Sequence, residues 1–281
     1  MTTTATTATM GTTLQRPTSA RRHLRVALAL LVAATTRAAT STALGQSPGQ
    51  SLGERVAAVR EGDVRLSFLA RAGVCGDGRG SVSVGSRSPR GWDTDCDPGP
   101  VRVRLTVSAG RVVGLRTLVG GRWGTVGEGV TDLGEVPARA AADYLLALAG
   151  RAEGRVGADA IWAASLADGV EPWPALLRLA RADSLPRATR RAAVTQLGYA
   201  AGEAAVAGLD EIARDEGEDA SVRESALYAL SQRPPDEGIP LLVRIARSGK
   251  SGSLRRKAIY YLSQSDDPRA LALFEELLTR R

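Results

Sequence analysis

The apolar positions of this chain change their period near residue 135. Before that point they alternate. In Asp63-Val64-Arg65-Leu66-Ser67-Phe68 the apolar residues fall on one face, and Val101, Val103, Leu105 and Val107 do the same between Arg102, Arg104 and Thr106. A period of two is that of a strand with one buried face. Ser108-Ala109-Gly110-Arg111 then separates the second strand from a third, Val112 to Val119. Strand, short Gly-containing turn, strand predicts a hairpin. Ser81 to Val84 adds a candidate fourth strand. The pattern predicts a small antiparallel sheet of three or four strands over residues 46–134, covered on one side only.

After residue 136 the period becomes helical. Helices are predicted over 138–149, 157–167, 173–182, 187–199, 203–214, 222–232, 237–247, 254–264 and 268–279. Loops this short make consecutive helices antiparallel neighbours. The helices also repeat. Ala193, Ala226 and Ala258 coincide at offsets of 33 and 32, as do Val194, Leu227 and Ile259, and then Leu197, Leu230 and Leu262. Ala160-Ile161 fits one unit earlier. In the alternate helices Leu176, Leu209, Leu242 and Phe274 align, and so do Leu179, Ile212, Ile245 and Leu277. A period in this range with two helices per unit means a solenoid, because one helical pair cannot bury its own apolar face. Ser221 with Glu224 predicts a capping box, and Pro234-Pro235-Asp236 and Asp266-Asp267-Pro268 separate helices.

The phrase Val/Leu-Arg-x-x-Ala-apolar-x-x-Leu, followed after twelve residues by an apolar pair three apart, resembles HEAT-like repeats in the short form of phycobilisome lyases. The resemblance covers residues 156–281. It implies a curved, right-handed stack that binds partners on its concave, second-helix face. No residues match a lyase active site. The expected fold is therefore α+β with two modules. A small antiparallel β module with one disulfide (46–134) precedes an all-α HEAT-like solenoid (136–281) of about four helical pairs plus a leading helix.

Residues 1–45 read as a signal peptide. Arg21, Arg22, His23 and Arg25 precede the apolar run Val26 to Ala34, and Ala43-Leu44-Gly45 offers a cleavage site. The run is too short to span a bilayer. The chain carries 37 basic and 30 acidic residues. Without the five arginines of the leader, 32 basic residues face 30 acids, so the basic pI does not point to nucleic acid. The leader also holds the single histidine, His23. Its loss excludes Ser-His-Asp and Cys-His catalysis and His-ligated metals. Cys75 and Cys96 are the two cysteines, and in an exported chain they predict a disulfide.

Two groups of side chains are candidates for function. Asp93, Asp95 and Asp97 alternate like the start of a calcium loop. Pro98 and Arg104 stand where that loop needs Gly and Glu, and the other reading is a solvated acidic turn. Cys75-Gly76-Asp77-Gly78-Arg79-Gly80 lacks the ending of a phosphate loop and reads as a flexible loop. On the second helices Arg181, Arg214 and Arg247 lie one repeat apart, beside an alternating row of Arg178, Glu211, Arg244 and Glu276. These arginines either pair between repeats or contact an acidic partner. Arg190, Arg223 and Arg255 form a further row on the first helices, where local pairing is expected.

Taken together, these features predict an exported, periplasmic or extracellular, non-enzymatic scaffold. It would hold another protein through Arg181, Arg214, Arg247, Arg178 and Arg244, with no catalytic residues, cofactor, nucleic-acid partner or membrane insertion. The alternatives are a carboxylate-based hydrolase acting on envelope glycans and, if the leader is not functional, a HEAT-like nucleic-acid binder.

Overall fold

A computed structural model describes residues 49–85, 96–200 and 203–279. The predicted leader, Asp93 and Asp95 lie outside the described residues.

A capped turn of helix opens the described chain. In α1 (Leu52–Ala57) Ser51 and Glu54 exchange hydrogen bonds as a capping box. Three predicted strands follow as β1 (Gly62–Phe68), β4 (Val101–Ser108) and β5 (Arg111–Val119), paired antiparallel. Val64, Leu66, Phe68, Val101, Val103 and Leu105 are fully buried on one face. At the β4–β5 turn Ala109 and Gly110 adopt φ of 50° and 71°. Both values are left-handed, as a type I′ hairpin turn requires. The Ala109 amide donates to the Glu61 carboxylate at 2.7 Å.

Two features of the sheet differ from expectation. Val82–Val84 does not join it. That segment is β3, which pairs with β2 (Val74–Gly76) in a separate ribbon. The fourth strand is instead β6 (Val130–Glu135), giving the order β5-β4-β1-β6, and β6 runs parallel to β1. Its apolar residues Val130 and Leu133 are three apart beside Gly134, so the segment carries no period-two signal. The second difference follows from the first. To reach β6 from β5 the chain must cross the sheet, and helices occupy the inner face. Residues 120–129 therefore cross the outer face, which is covered at its centre. Alternation placed Arg65 and Arg102 in solvent, but they are only 6% and 4% exposed.

The helical half follows the predicted period closely. The helices are α2 (Ala138–Ala149), α3 (Val156–Ser165), α4 (Trp173–Ala180), α5 (Arg187–Leu197), α6 (Glu203–Arg214), α7 (Ala220–Ser231), α8 (Pro235–Ser248), α9 (Gly252–Leu262) and α10 (Pro268–Thr279). They form two layers. The first helices α3, α5, α7 and α9 pack side by side, and α2, α4, α6, α8 and α10 make the second layer. Ala160, Ala193, Ala226 and Ala258 are fully buried between first helices, as are Leu197, Leu230 and Leu262. A methyl group at each crossing lets these helices approach closely.

Two local readings are corrected. The Ser221–Glu224 capping box does not form. Asp219 caps α7 instead, because its carboxylate accepts from both the Ser221 amide and its hydroxyl at 2.8 and 2.6 Å. Glu224 is thereby free to pair with Lys257 of the next repeat. In α10 the buried anchor is Leu273, not Phe274, and Leu277 is exposed. The α9–α10 turn brings the helix face round one residue sooner than its predecessors.

Strands and helices share one continuous core that runs from Leu52 to Leu273. The seam between them is also hydrogen-bonded. The Arg71 amide donates to the Leu166 carbonyl at 2.8 Å and the Asp168 amide to the Leu69 carbonyl at 3.0 Å. The Arg71 guanidinium adds a bond to the Ser165 carbonyl at the end of α3, at 2.9 Å.

Candidate interaction surfaces

The second-helix arginines stand at helix C-termini. Arg181 is the C-cap of α4, Arg214 is the last residue of α6 and Arg247 lies in the last turn of α8. A cation there meets the negative end of the helix dipole. Each also meets a carboxylate. Arg181 pairs with Glu211, so α4 is tied to α6. Arg214 and Arg244 share Asp210, and Arg244 reaches it from α8 at 2.8 Å. Arg247 pairs with Glu276 of α10 at 2.6 Å. The result is a ladder of ion pairs across α4, α6, α8 and α10. The alternating row supplies Glu211 and Glu276 to the all-arginine row, a combination that reading each row alone could not reveal. Arg178 stands apart, donating to the Pro174 carbonyl of its own helix at 3.2 Å. The arginines of the ladder remain about half exposed. The Arg181–Glu211 pair is exposed on both sides and contributes about 0–1 kcal/mol, whereas Asp210 is buried and has two arginines to offset its charge.

The first-helix arginines do different work. Arg223 donates to the Ala213 carbonyl at 3.3 Å and Arg255 to the Gly249 carbonyl at 2.7 Å, each at the end of the preceding second helix. Arg190 reaches Asp183 beyond α4 and also Glu218. Arg223 and Arg255 therefore seal the ends of the preceding second helices, and Arg190 pairs with one acid near by in sequence and one 28 residues away.

In the β module Cys75 and Cys96 are joined as a disulfide. Next to it, Asp97 accepts from the Gly99 and Gly121 amides at 2.9 and 2.7 Å. Its two carboxylate oxygens thus hold a turn. The Cys75–Gly80 segment, read as a flexible loop, is pinned by one side chain. Asp77 accepts from the amides of Arg79, Gly80 and Ser81 at 2.8–3.0 Å. The Arg79 amide first, then that of Gly80, hold its pKa down at about 2. Among the described residues no group of His, Cys, Asp and Glu could hold a metal ion, and no helix is long and apolar enough to cross a membrane.

Sequence reasoning missed one cluster outright. Trp123, on the crossing loop, lies under the guanidinium groups of Arg65, Arg102 and Arg104, at 5.5, 5.0 and 5.9 Å from its ring centre. Arg102 donates to the carbonyls of Gly120, Arg122 and Gly78, and Arg65 to Gly124 and Asp132. Burial lowers the Arg102 pKa, partly offset by Asp97. The available signal was a lone Trp in a Gly-rich loop facing three arginines of a polar strand face.

Layered helical pairs, small residues at each crossing and in-register anchors define the repeat. A family model of HEAT repeats matches residues 212–281. The C-terminal part of the chain is HEAT-like. A comparison of the whole chain with curated proteins gives no match. HEAT repeats present extended surfaces to other proteins, so the coarse reading is an interaction scaffold.

Proposed function

We propose that this protein is an exported, non-enzymatic HEAT-repeat scaffold that holds another protein on the concave face of its second helices. The carrying observation is the arginine ladder. Arg181, Arg214, Arg244 and Arg247 each pair with a neighbouring acid, and each side chain as a whole remains about half exposed. An acidic partner segment lying along the ladder would meet one cation per repeat, with Arg178 extending the row. Arginine suits such contacts because its planar fork is already oriented. The disulfide and the leader layout support an oxidising, extracytoplasmic location.

The test is crosslinking in intact cells followed by mass spectrometry, repeated with Arg181, Arg214 and Arg247 replaced by alanine. The captured partner should be lost or weakened at least tenfold. Unchanged capture by the folded triple variant would refute the second-helix face. Fractionation that leaves an uncleaved chain in the cytoplasm would refute export.

A further inference from the structure

A cavity of about 370 Å³ lies where α1, the β4–β5 turn and the end of α2 meet. Its size is that of a small-molecule site, about 300–1,000 Å³. Val56, Val107, Leu148 and Ala152 line it and are buried, so its floor is apolar. Three charged residues line it as well, Arg111, Arg151 and Glu153. Arg111 and Glu153 pair with each other at 3.3 Å, tying the start of β5 to the segment after α2. Arg151 has no acid partner among the described residues. Its guanidinium stands over the Tyr144 ring, 5.8 Å from the ring centre.

Tyr144 is the second polar group at this cavity. It lines the space from α2 and is only 7% exposed. Among the described residues nothing hydrogen-bonds with its hydroxyl. Buried hydroxyls ordinarily have a partner, so this one is left as a donor to a molecule in the cavity. Burial pushes its pKa up to about 12, with Arg151 acting in the opposite direction, and the phenol therefore keeps its proton. Gly53 of α1 leaves room beside the ring. A Cβ there would lie 3.7 Å from Tyr144, an ordinary contact, so neither backbone nor crowding requires the glycine. Within a helix glycine is less favourable than alanine.

We infer that this cavity binds a medium-chain carboxylic acid, with its carboxylate held by Arg151 and the Tyr144 hydroxyl and its hydrocarbon chain on the apolar floor. Charge selects an anion. Two arginines and one glutamate line the cavity, and the glutamate is already taken by Arg111. The donors select a carboxylate. One guanidinium and one hydroxyl can serve its two oxygens. A phosphate would bring a further oxygen and more charge, with no free cation left to meet them. The floor selects a hydrocarbon chain. The C-terminus of a peptide would bring amide groups that Val56, Val107, Leu148 and Ala152 leave unpaired, at a desolvation cost.

This site lies outside the arginine ladder and does not depend on the scaffold reading. The probe is octanoate titrated into the full chain by calorimetry, with hexanoate, octylamine and N-acetyl-leucine as comparison ligands. Saturable binding of octanoate is expected. Hexanoate should bind more weakly by about fourfold for each methylene removed. Tyr144→Phe keeps the ring and should weaken octanoate about five- to tenfold. Arg151→Gln should weaken it about tenfold or more, because the lost hydrogen bond is charged. Gly53→Leu fills the space beside the phenol and should abolish binding without lowering Tm. Thermal melts establish that each variant is folded. If Tyr144→Phe does not fold, Arg151→Gln, at an exposed position, decides. No saturable octanoate binding by the folded wild type overturns the inference, as does octanoate binding unchanged in Arg151→Gln. Equal binding of octylamine would show an apolar hole without a carboxylate site and overturns it too. Binding of N-acetyl-leucine alone overturns it in favour of a peptide C-terminus.

Discussion

Single side chains hold the β module's loops in place. Arg102 is the centre of one such arrangement. It satisfies three loop carbonyls at 2.7–2.9 Å and stacks on Trp123, so one residue fixes the path of residues 120–123 and of Gly78. Asp77 is the centre of another, with three amides converging on one carboxylate. Its behaviour with pH has a definite sign. Its folded pKa of about 2 lies below the ordinary value of 3.8. A carboxylate with a depressed folded pKa stabilises the folded loop above its unfolded value, and that contribution is lost as the pH falls through the folded one. The Cys75–Gly80 segment should therefore keep its hydrogen-bonded form above pH 4 and release it as the pH falls towards 2. The Gly80 and Ser81 amide resonances should titrate in that window. In Asp77→Asn they should not titrate there. An unchanged titration in that variant would show that another group governs the loop.

At the scale of elements, helices were far more legible in the sequence than strands. Periodicity located α2, α6 and α10 to the residue, because each apolar anchor recurs on one face and each end is marked by Pro, Gly or a polar run. It failed where the decisive partner is distant in sequence. β6 has only Leu133 as a buried inward residue, and its place beside β1 depends on the crossing of residues 120–129. The fate of Arg65 and Arg102 depends on the same crossing. The ion-pair ladder was half legible. Arginine positions repeat visibly, but their acids come from adjacent helices through a third dimension that the period does not encode. The buried alanines were fully legible, and they yield a prediction. Ala226 is 0% exposed where α7 meets α5 and α9. Ala226→Leu keeps helix propensity but forces extra methylenes into that crossing, at about 1–3 kcal/mol. Ala207→Leu, at an exposed site of α6, is the matched control and should change stability by less than about 0.5 kcal/mol. Urea denaturation of both variants compares them. Equal effects would mean that the alanine row is not a packing constraint.

For the whole molecule, the continuous core decides how the chain unfolds. Solenoids can lose cooperativity along their length, since each repeat contacts only its neighbours. Here the first helical pair is bound to the sheet through a shared core and through the Arg71 seam. The β module and α2–α3 should therefore open as one unit, while α9 and α10, coupled only through the intervening repeats, can respond separately. Phe68 is the probe. It lies at the end of β1, next to the seam, and is 0% exposed. Phe68→Ala should cost about 3–5 kcal/mol through lost burial and the cavity left behind. Hydrogen exchange resolves where that loss is felt. Amides of β1, β4, α2 and α3 should lose protection together and by similar factors, and those of α9 and α10 should lose much less. If protection falls in the strands while α2 and α3 keep theirs, the sheet is a separately folding appendage. If it falls uniformly through α10, the solenoid and the sheet form a single cooperative unit and the repeats do not act as near-independent steps.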